Sequence, residues 1–341
     1  MAFRKAPWLA ISVLVACHIL VLFAGFFAPY SFEEQNRLLA FAPPTHIHFV
    51  DAHHRFHPRP FVYRLIPRQS GFAQYEEDRT VAYPLYFLVS GMEYRLLGVF
   101  HSRRHLFGTR AQAHIFIMGS DAYGRDLFSR LLYGGRISLF AGLLAATISV
   151  FLGVALGGLA GYYGRWIDDA MMRTGEAFLA MPWLYLLLAV RALFPLHMDP
   201  RGAFFLLILV LGVIGWARPA RLVRGVVLTA KEREYVVAAR SFGASDLYLL
   251  RTHILPFASG VALNQAVLYI PQYILAEVTL SFFGLGMSEP FPSWGNMLND
   301  LQHFLIWNSY WWLFAPAIAL IAVLLAYYRI FAFIKINKFT F

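Results

Sequence analysis

With a single cysteine, Cys17, the chain can close no internal disulfide and offers no thiol cluster to a metal. Charge is also scarce. Asp, Glu, Lys and Arg make up 14% of the 341 residues, against about 25% in a soluble globular chain. That shortage excludes a water-soluble enzyme built around one large core. No lysine follows a glycine, so a Walker A loop is absent and the chain has no such means of hydrolysing ATP. HExxH, GxSxG and paired carboxylates within apolar runs are missing too, which removes the common hydrolase sites. The net charge of +10 is not accompanied by a Lys/Arg stripe interleaved with aromatics, and this argues against a nucleic-acid surface.

What is abundant is apolar sequence, 59% of the chain. It falls in runs of about 20 residues, the length a helix needs to cross a hydrocarbon core. Six spans are expected, near Trp8–Pro29, Ile137–Tyr162, Gly175–Phe194, Ala203–Trp216, Ala258–Gly284 and Trp311–Tyr328. The first is longer than a signal-peptide core and reads as an uncleaved anchor. Basic residues gather at the N-terminus, in 163–174, in 217–257 and at the C-terminus, so the positive-inside rule places both termini in the cytoplasm. Trp166, Tyr162, Tyr163, Trp311, Trp312, Tyr327 and Tyr328 fall at span ends, where amphipathic rings are favoured. Gly153, Gly157 and Gly161 share one face of the second span, a surface on which another helix backbone can approach closely.

Residues 30–136 are too polar and too broken by Pro and Gly to span a membrane. The β-rich stretches His46–Val50, Arg59–Ile66 and Tyr83–Val89 predict a small, partly β extracytoplasmic insert. His46, His48, His53, His54 and His57 are close in sequence, but alternation sends the first two to one strand face and the others into a turn. The expectation is therefore no bound metal. The domain organisation follows: 1–29 with the first span, the 30–136 segment, and a five-helix core over 137–341.

The most informative stretch is 229–256. Thr229 with Glu232 has the spacing of a capping box, which predicts a helix near 230–242 ending at Gly243. Ser245 and Asp246 suit the start of a second helix, and Pro256, after Leu255, marks where it stops or bends into the fifth span. Ala238 and Ala239 make a shallow face edged by Glu234, Arg240 and Arg251. Spacing alone is equally compatible with an ordinary capped helical loop.

This stretch resembles the loop of ABC importer permeases that reads Glu-Ala-Ala, three residues, Gly, nine residues, Ile, one residue, Leu-Pro. The corresponding positions are Val237, Ala238, Ala239, Gly243, His253, Leu255 and Pro256, with Val237 replacing the glutamate and His253 the isoleucine. Gly119–Leu139, with Gly124, Arg125 and Asp126, is similar to the segment before the second span of C-type permeases of the oligopeptide/dipeptide/nickel family. Leu280–Asp300, with Ser293, Trp294 and Gly295, is similar to that family's block after the fifth span. The resemblance implies an all-α polytopic protein of the type I importer permease fold in a bacterial inner membrane. It implies that 229–256 forms a coupling elbow docked on an ATPase subunit through Glu234, Val237, Ala238, Ala239, Gly243, Asp246, Leu255 and Pro256. It further implies a B-type permease as partner, two cytoplasmic ATPases that carry ATP and Mg2+, and an extracytoplasmic binding protein delivering small peptides. Close relatives carry nickel chelates or other small solutes. This chain itself is expected to bind no cofactor and to catalyse no reaction.

An ion-coupled secondary transporter would need ionisable groups near the bilayer centre. Glu277, Glu176 and Arg191 all lie near span ends, and His18 is a lone histidine of the kind that packing accommodates.

Overall fold

A computed structural model describes residues 7–68, 74–96, 99–109, 113–195, 198–302 and 309–338. The chain forms two compact units. One comprises Met1–Ser12, Phe140–Glu277 and Leu324–Phe341, the other Val13–Leu139 and Val278–Val323.

The second unit starts within an apolar helix, α1 (Trp8–Leu22), broken at Phe23 and resumed as the single turn α2 (Ala24–Phe27). Four antiparallel strands follow: β1 (His48–Val50), β2 (Phe56–Pro67), β3 (Tyr75–Leu96) and β4 (Phe100–Thr109), adjacent in chain order. They fit the expected small insert. The 22-residue β3 serves two hairpins, pairing with β2 up to Pro84 and with β4 from Leu85 onwards. Proline, which has no N–H to donate, stands where the partner changes. β4 went unread in the sequence because its composition, FHSRRHLFGT, is basic rather than apolar. His57 lies on β2 rather than in the turn.

The helix α3 (Leu127–Tyr163) begins at Leu127, ahead of Ile137, because Asp126 caps it: its carboxylate accepts the Ser129 N–H at 2.8 Å and the Ser129 hydroxyl at 2.6 Å. The third expected span, Gly175–Phe194, is not one straight helix. The amphipathic α4 (Arg165–Ala180) and the apolar α5 (Trp183–Ala192) meet at 89°. Pro182 forces the preceding Met181 into extended backbone, which ends α4 there. α6 (Pro200–Ile214) runs through Gly215 into α7 (Ala217–Ala230), a 31-residue rod longer than the expected fourth span. Asp199 caps it, with Pro200 at the first position. α8 (Glu234–Ser241) and α9 (Asp246–Tyr248) precede α10 (Leu255–Phe282); α11 (Trp294–Asn299) and α12 (Ala315–Lys338) complete the chain.

By length and composition, four helices can cross a membrane: Leu127–Tyr163, Pro200–Ala230, Asp246–Phe282 and Trp311–Lys335, with α4 and α5 together a possible fifth. The expectation of six spans thus meets four or five among the described residues, since α1 has only 15 residues.

Candidate functional site

Two constellations stand out, one in each unit. In the first unit, α8, α9 and the start of α10 build an elbow over a core of Tyr162, Val223, Val227, Val236, Leu249 and Ile254. α8 ends in a Schellman turn: Ala244 N–H donates to Ala239 O at 3.1 Å and Gly243 N–H to Arg240 O at 3.0 Å. Gly243 has φ +85°, the left-handed conformation that glycine adopts without strain. Ser245 caps α9 by accepting the Tyr248 N–H at 3.4 Å, as the sequence indicates.

The Thr229 capping box is not formed. Thr229 lies inside α7, where its hydroxyl turns back to Gly225 O, and α8 starts only at Glu234, after Arg233. A threonine that can bond its own preceding turn needs no helix start to satisfy it. Nor does the second elbow helix stop at Pro256. Leu249–Ile254 form a π-turn in which Leu255 N–H reaches Leu250 O, and the helix continues into α10. The wider turn accommodates a proline ring that would otherwise crowd the preceding carbonyls.

Val236 and Ala239 face the elbow core, whereas Glu234, Val237, Ala238, Phe242, Leu247 and Tyr248 are exposed. Phe242 is 91% and Leu247 73% exposed, which gives the elbow an apolar outer face edged by charge. Behind it, Arg240 donates to the Tyr162 hydroxyl at 3.0 Å, and that hydroxyl donates to Asp246 at 2.5 Å, tying both elbow helices to the end of α3. Lys231 donates to Gly161 O at 3.0 Å. His253, one of the two departures from the resembled loop, lies beside the Tyr235 and Tyr248 rings. Leu255 is partly buried against the elbow core and Pro256 is exposed.

The glycine stripe lies against α7. A Cβ on Gly153 would meet Pro219 at 2.4 Å, one on Gly157 would meet Ala220 O at 2.3 Å, and one on Gly161 would meet Arg224 O at 2.9 Å. In the same unit, a cavity of about 300 Å3 opens among α5, α6 and α10, lined by Trp183, Leu187, Leu211, Gly215, Gln272 and Tyr273. The Tyr273 hydroxyl shares a 2.6 Å hydrogen bond with Ser149 on α3.

In the second unit the two sequence blocks fold onto each other. Asp121, 2% exposed, accepts from Arg125 Nε at 2.6 Å. Arg125 Nη1 and Arg130 Nη2 both reach Glu289, at 2.6 and 3.0 Å. Trp294 donates its indole N–H to Leu131 O at 3.0 Å and its backbone N–H to Ser138 at 3.1 Å. Ser293 and Asn296 form a reciprocal capping box on α11, and Gly295 packs under Val278 O, which a Cβ would meet at 2.3 Å. Gly124, φ +71°, fits tightly against Asn36 O. Arg125 is held above its usual basicity by Asp121 and Glu289 against the cost of burial. Burial raises the Asp126 carboxyl to about 7 and that of Asp300 to about 6, with the Asp121 charge adding to both. Asp121, Arg130 and Glu289 were not singled out in the sequence. The alternation of Asp121, Arg125, Asp126 and Arg130 just ahead of an apolar run was a usable signal, but Glu289 is too distant in sequence for any pattern to show it.

In the histidine-rich segment, His48 pairs with Glu77 at 2.9 Å and His57 with Asp51 at 3.0 Å. Among the described residues no three His, Cys, Asp or Glu side chains group as metal ligands would.

Residues 153–335 match the family described as binding-protein-dependent transport system inner membrane component. The chain is 43% identical over 199 residues to the dipeptide transport system permease protein DppC of Bacillus subtilis, covering 58% of this chain and 60% of that one. It is 38% identical over 199 residues to the oligopeptide transport system permease protein OppC of the same organism, covering 58% and 63%. To the glutathione transport system permease protein GsiD of Pectobacterium atrosepticum it is 35% identical over 216 residues, covering 63% and 67%. The match to the two Bacillus proteins thus spans about three fifths of their length.

Proposed function

Because this chain belongs to the binding-protein-dependent transport system inner membrane component family, we propose that it is the C-type permease subunit of an ATP-driven importer of small peptides. The observation that carries the reading is the elbow. Its exposed Val237, Phe242, Leu247 and Tyr248 stand on a backbone locked by the Schellman turn and by the Arg240–Tyr162–Asp246 hydrogen bonds. A rigid knob of this kind suits a groove on a cytoplasmic ATPase and can pass the motion of that subunit into α3 and α10, to which it is joined. ATP and Mg2+ belong to the two ATPases. The chain's own part is mechanical.

The glycine stripe lets α7 lie close on α3, so the two move together. The cavity lined by Gln272 and Tyr273, mostly apolar, forms part of this subunit's half of the pathway; a homologous B-type permease supplies the other half. Counting α1–α2 and α4–α5 as one crossing each gives six spans, with both termini in the cytoplasm and residues 30–126 outside, where a binding protein delivers its cargo. The relatives named for dipeptide, oligopeptide and glutathione transport support a short peptide over a nickel chelate.

The test is reconstitution of the complete importer in liposomes, with the ligand of its binding protein identified by mass spectrometry. Uptake should require ATP and the cognate ATPases, and Leu247→Cys should cross-link to an ATPase subunit. Uptake that follows an ion gradient without ATP would refute the reading.

A further inference from the structure

The β3–β4 hairpin packs along α2, the turn that follows α1 after the break at Phe23. His105 on β4 hydrogen-bonds Ala28 O at 2.7 Å. Nearer the hairpin turn, the Tyr94 ring covers Gly25, where an added Cβ would meet it at 2.2 Å. Moving toward the turn therefore moves back down the chain from Ala28 to Gly25, away from the helix end. α3 lies against the same segment: Phe107, at the base of the hairpin, packs on Phe128 in the first turn of α3, and Ala24 and Ala28 both cluster with Leu132 one turn further in. Leu96 and Phe100 pair beyond Tyr94 and Ser102, at about 3.3 Å per residue some 7 Å past the level of Gly25.

The tip has the composition of a membrane-interface element. Val99 is 71% and Phe100 64% exposed, and Met92 is exposed as well. Arg95, His101, Arg103 and Arg104 surround them, all exposed, with Glu93 pairing His101 at 2.6 Å and Arg103 at 3.1 Å. α1 itself presents exposed Val15, Ile19 and Leu20. Exposed aromatic and aliphatic side chains rimmed by arginine are stable where acyl chains meet headgroups, the apolar groups inward and the guanidiniums on lipid phosphate.

We propose that the β3–β4 hairpin is a lipid anchor, its Val99 and Phe100 inserted into the outer leaflet beside α1 and its Arg95 and Arg104 on lipid phosphates. The proposal rests on the reading above that α1–α2 crosses from the cytoplasm and leaves the insert outside. Its consequence is that the insert is fixed to the bilayer at one end, so the β1–β2 end is held at a set height above the membrane.

The test uses the complete importer in nanodiscs of phosphatidylethanolamine and phosphatidylglycerol, with Cys17→Ser and an environment-sensitive fluorophore on Phe100→Cys or, independently, Val99→Cys. A third variant carries the label on His54→Cys, in the exposed turn between β1 and β2. Labels at 99 and 100 should show blue-shifted emission, loss of iodide quenching relative to position 54, and quenching by lipids bearing a nitroxide just below the headgroup. Arg95→Gln with Arg104→Gln should weaken the lipid quenching. Iodide quenching equal to that at position 54 overturns the anchor, and so does shielding from both quenchers, which would mean that protein covers the tip. Modification of position 54 only from the cytoplasmic side overturns the topology, and the outer-leaflet assignment with it. An external position 54 with an iodide-accessible tip overturns the anchor alone.

Discussion

Replacing Gly243 isolates the elbow from everything else in the molecule. At φ +85°, an L-residue other than glycine there costs about 1 kcal/mol or more of backbone strain. No heavy atom lies within 4 Å of an added Cβ, so Gly243→Ala adds strain without a clash. A cost of that size lowers the closed-to-open ratio of the Schellman turn by a factor of about five. The two amides that close the turn, those of Gly243 and Ala244, report it directly. In Gly243→Ala they should exchange with deuterium several-fold faster, while amides of α3 and α10 remain unchanged. Gly243→Asn should fall between, since asparagine tolerates the left-handed region better than alanine. Gly243→Leu shares the backbone cost of alanine but also projects a side chain from the exposed surface that includes Phe242 and Leu247. Exchange in the leucine variant should therefore match that in alanine, whereas ATP-driven uptake by the reconstituted importer should drop further. Normal exchange together with full uptake in Gly243→Leu would show that the turn neither needs glycine nor couples the ATPase.

Three other perturbations probe the packing and the buried charges. Gly157→Leu drives a side chain into the Ala220 backbone and should destabilise the α3–α7 contact by about 1–3 kcal/mol, seen as a lower melting temperature in detergent, with Gly157→Ala milder. Arg125→Met leaves Asp121 buried beside only the more distant Arg130, at 3.6 Å, and should cost about 3 kcal/mol; adding Asp121→Asn should restore part of that loss, and strictly additive losses would argue against the pairing. Asp126 has a folded pKa of about 7, above the ordinary 3.8, so its protonation stabilises the fold fully below about pH 4 and that contribution is lost as pH rises to about 7. Asp126→Asn, which keeps an acceptor for Ser129, should therefore gain stability over the parent at pH 8 and match it near pH 4; a parent melting temperature flat across that window would contradict the burial.

The legible features were those decided by local chemistry. Gly243 and Ser245 announced the elbow turn because a left-handed position and an Ncap each require a particular residue type, and the structure gives both that geometry. Thr229 misled because the same hydroxyl satisfies itself equally well against Gly225 within a helix, and spacing cannot distinguish the two. The break between α4 and α5 was written in Met181-Pro182, but the apolar run crosses it without a change in hydropathy, so a reading by length joined the pieces. β4 was hidden for the opposite reason. Strand propensity is measured on half-buried surfaces, and FHSRRHLFGT buries little beyond His105 and Gly108, so its pairing with β3 was invisible to pattern. The ionic cluster was half visible. Asp121, Arg125 and Arg130 stand within ten residues at the start of an apolar run, where an apolar protein has few reasons to keep charge, but their partner Glu289 arrives from beyond α10. Asp121 and Arg130 are almost fully buried, so loss of either partner would leave an uncompensated charge inside the protein. Here they fix Gly119–Leu139 to Leu280–Asp300, two of the three blocks that carry the family resemblance, while the third builds the elbow. The three resembled blocks thus build one joint in each unit, the ionic one where two segments must meet and the glycine-closed one where a helix must turn.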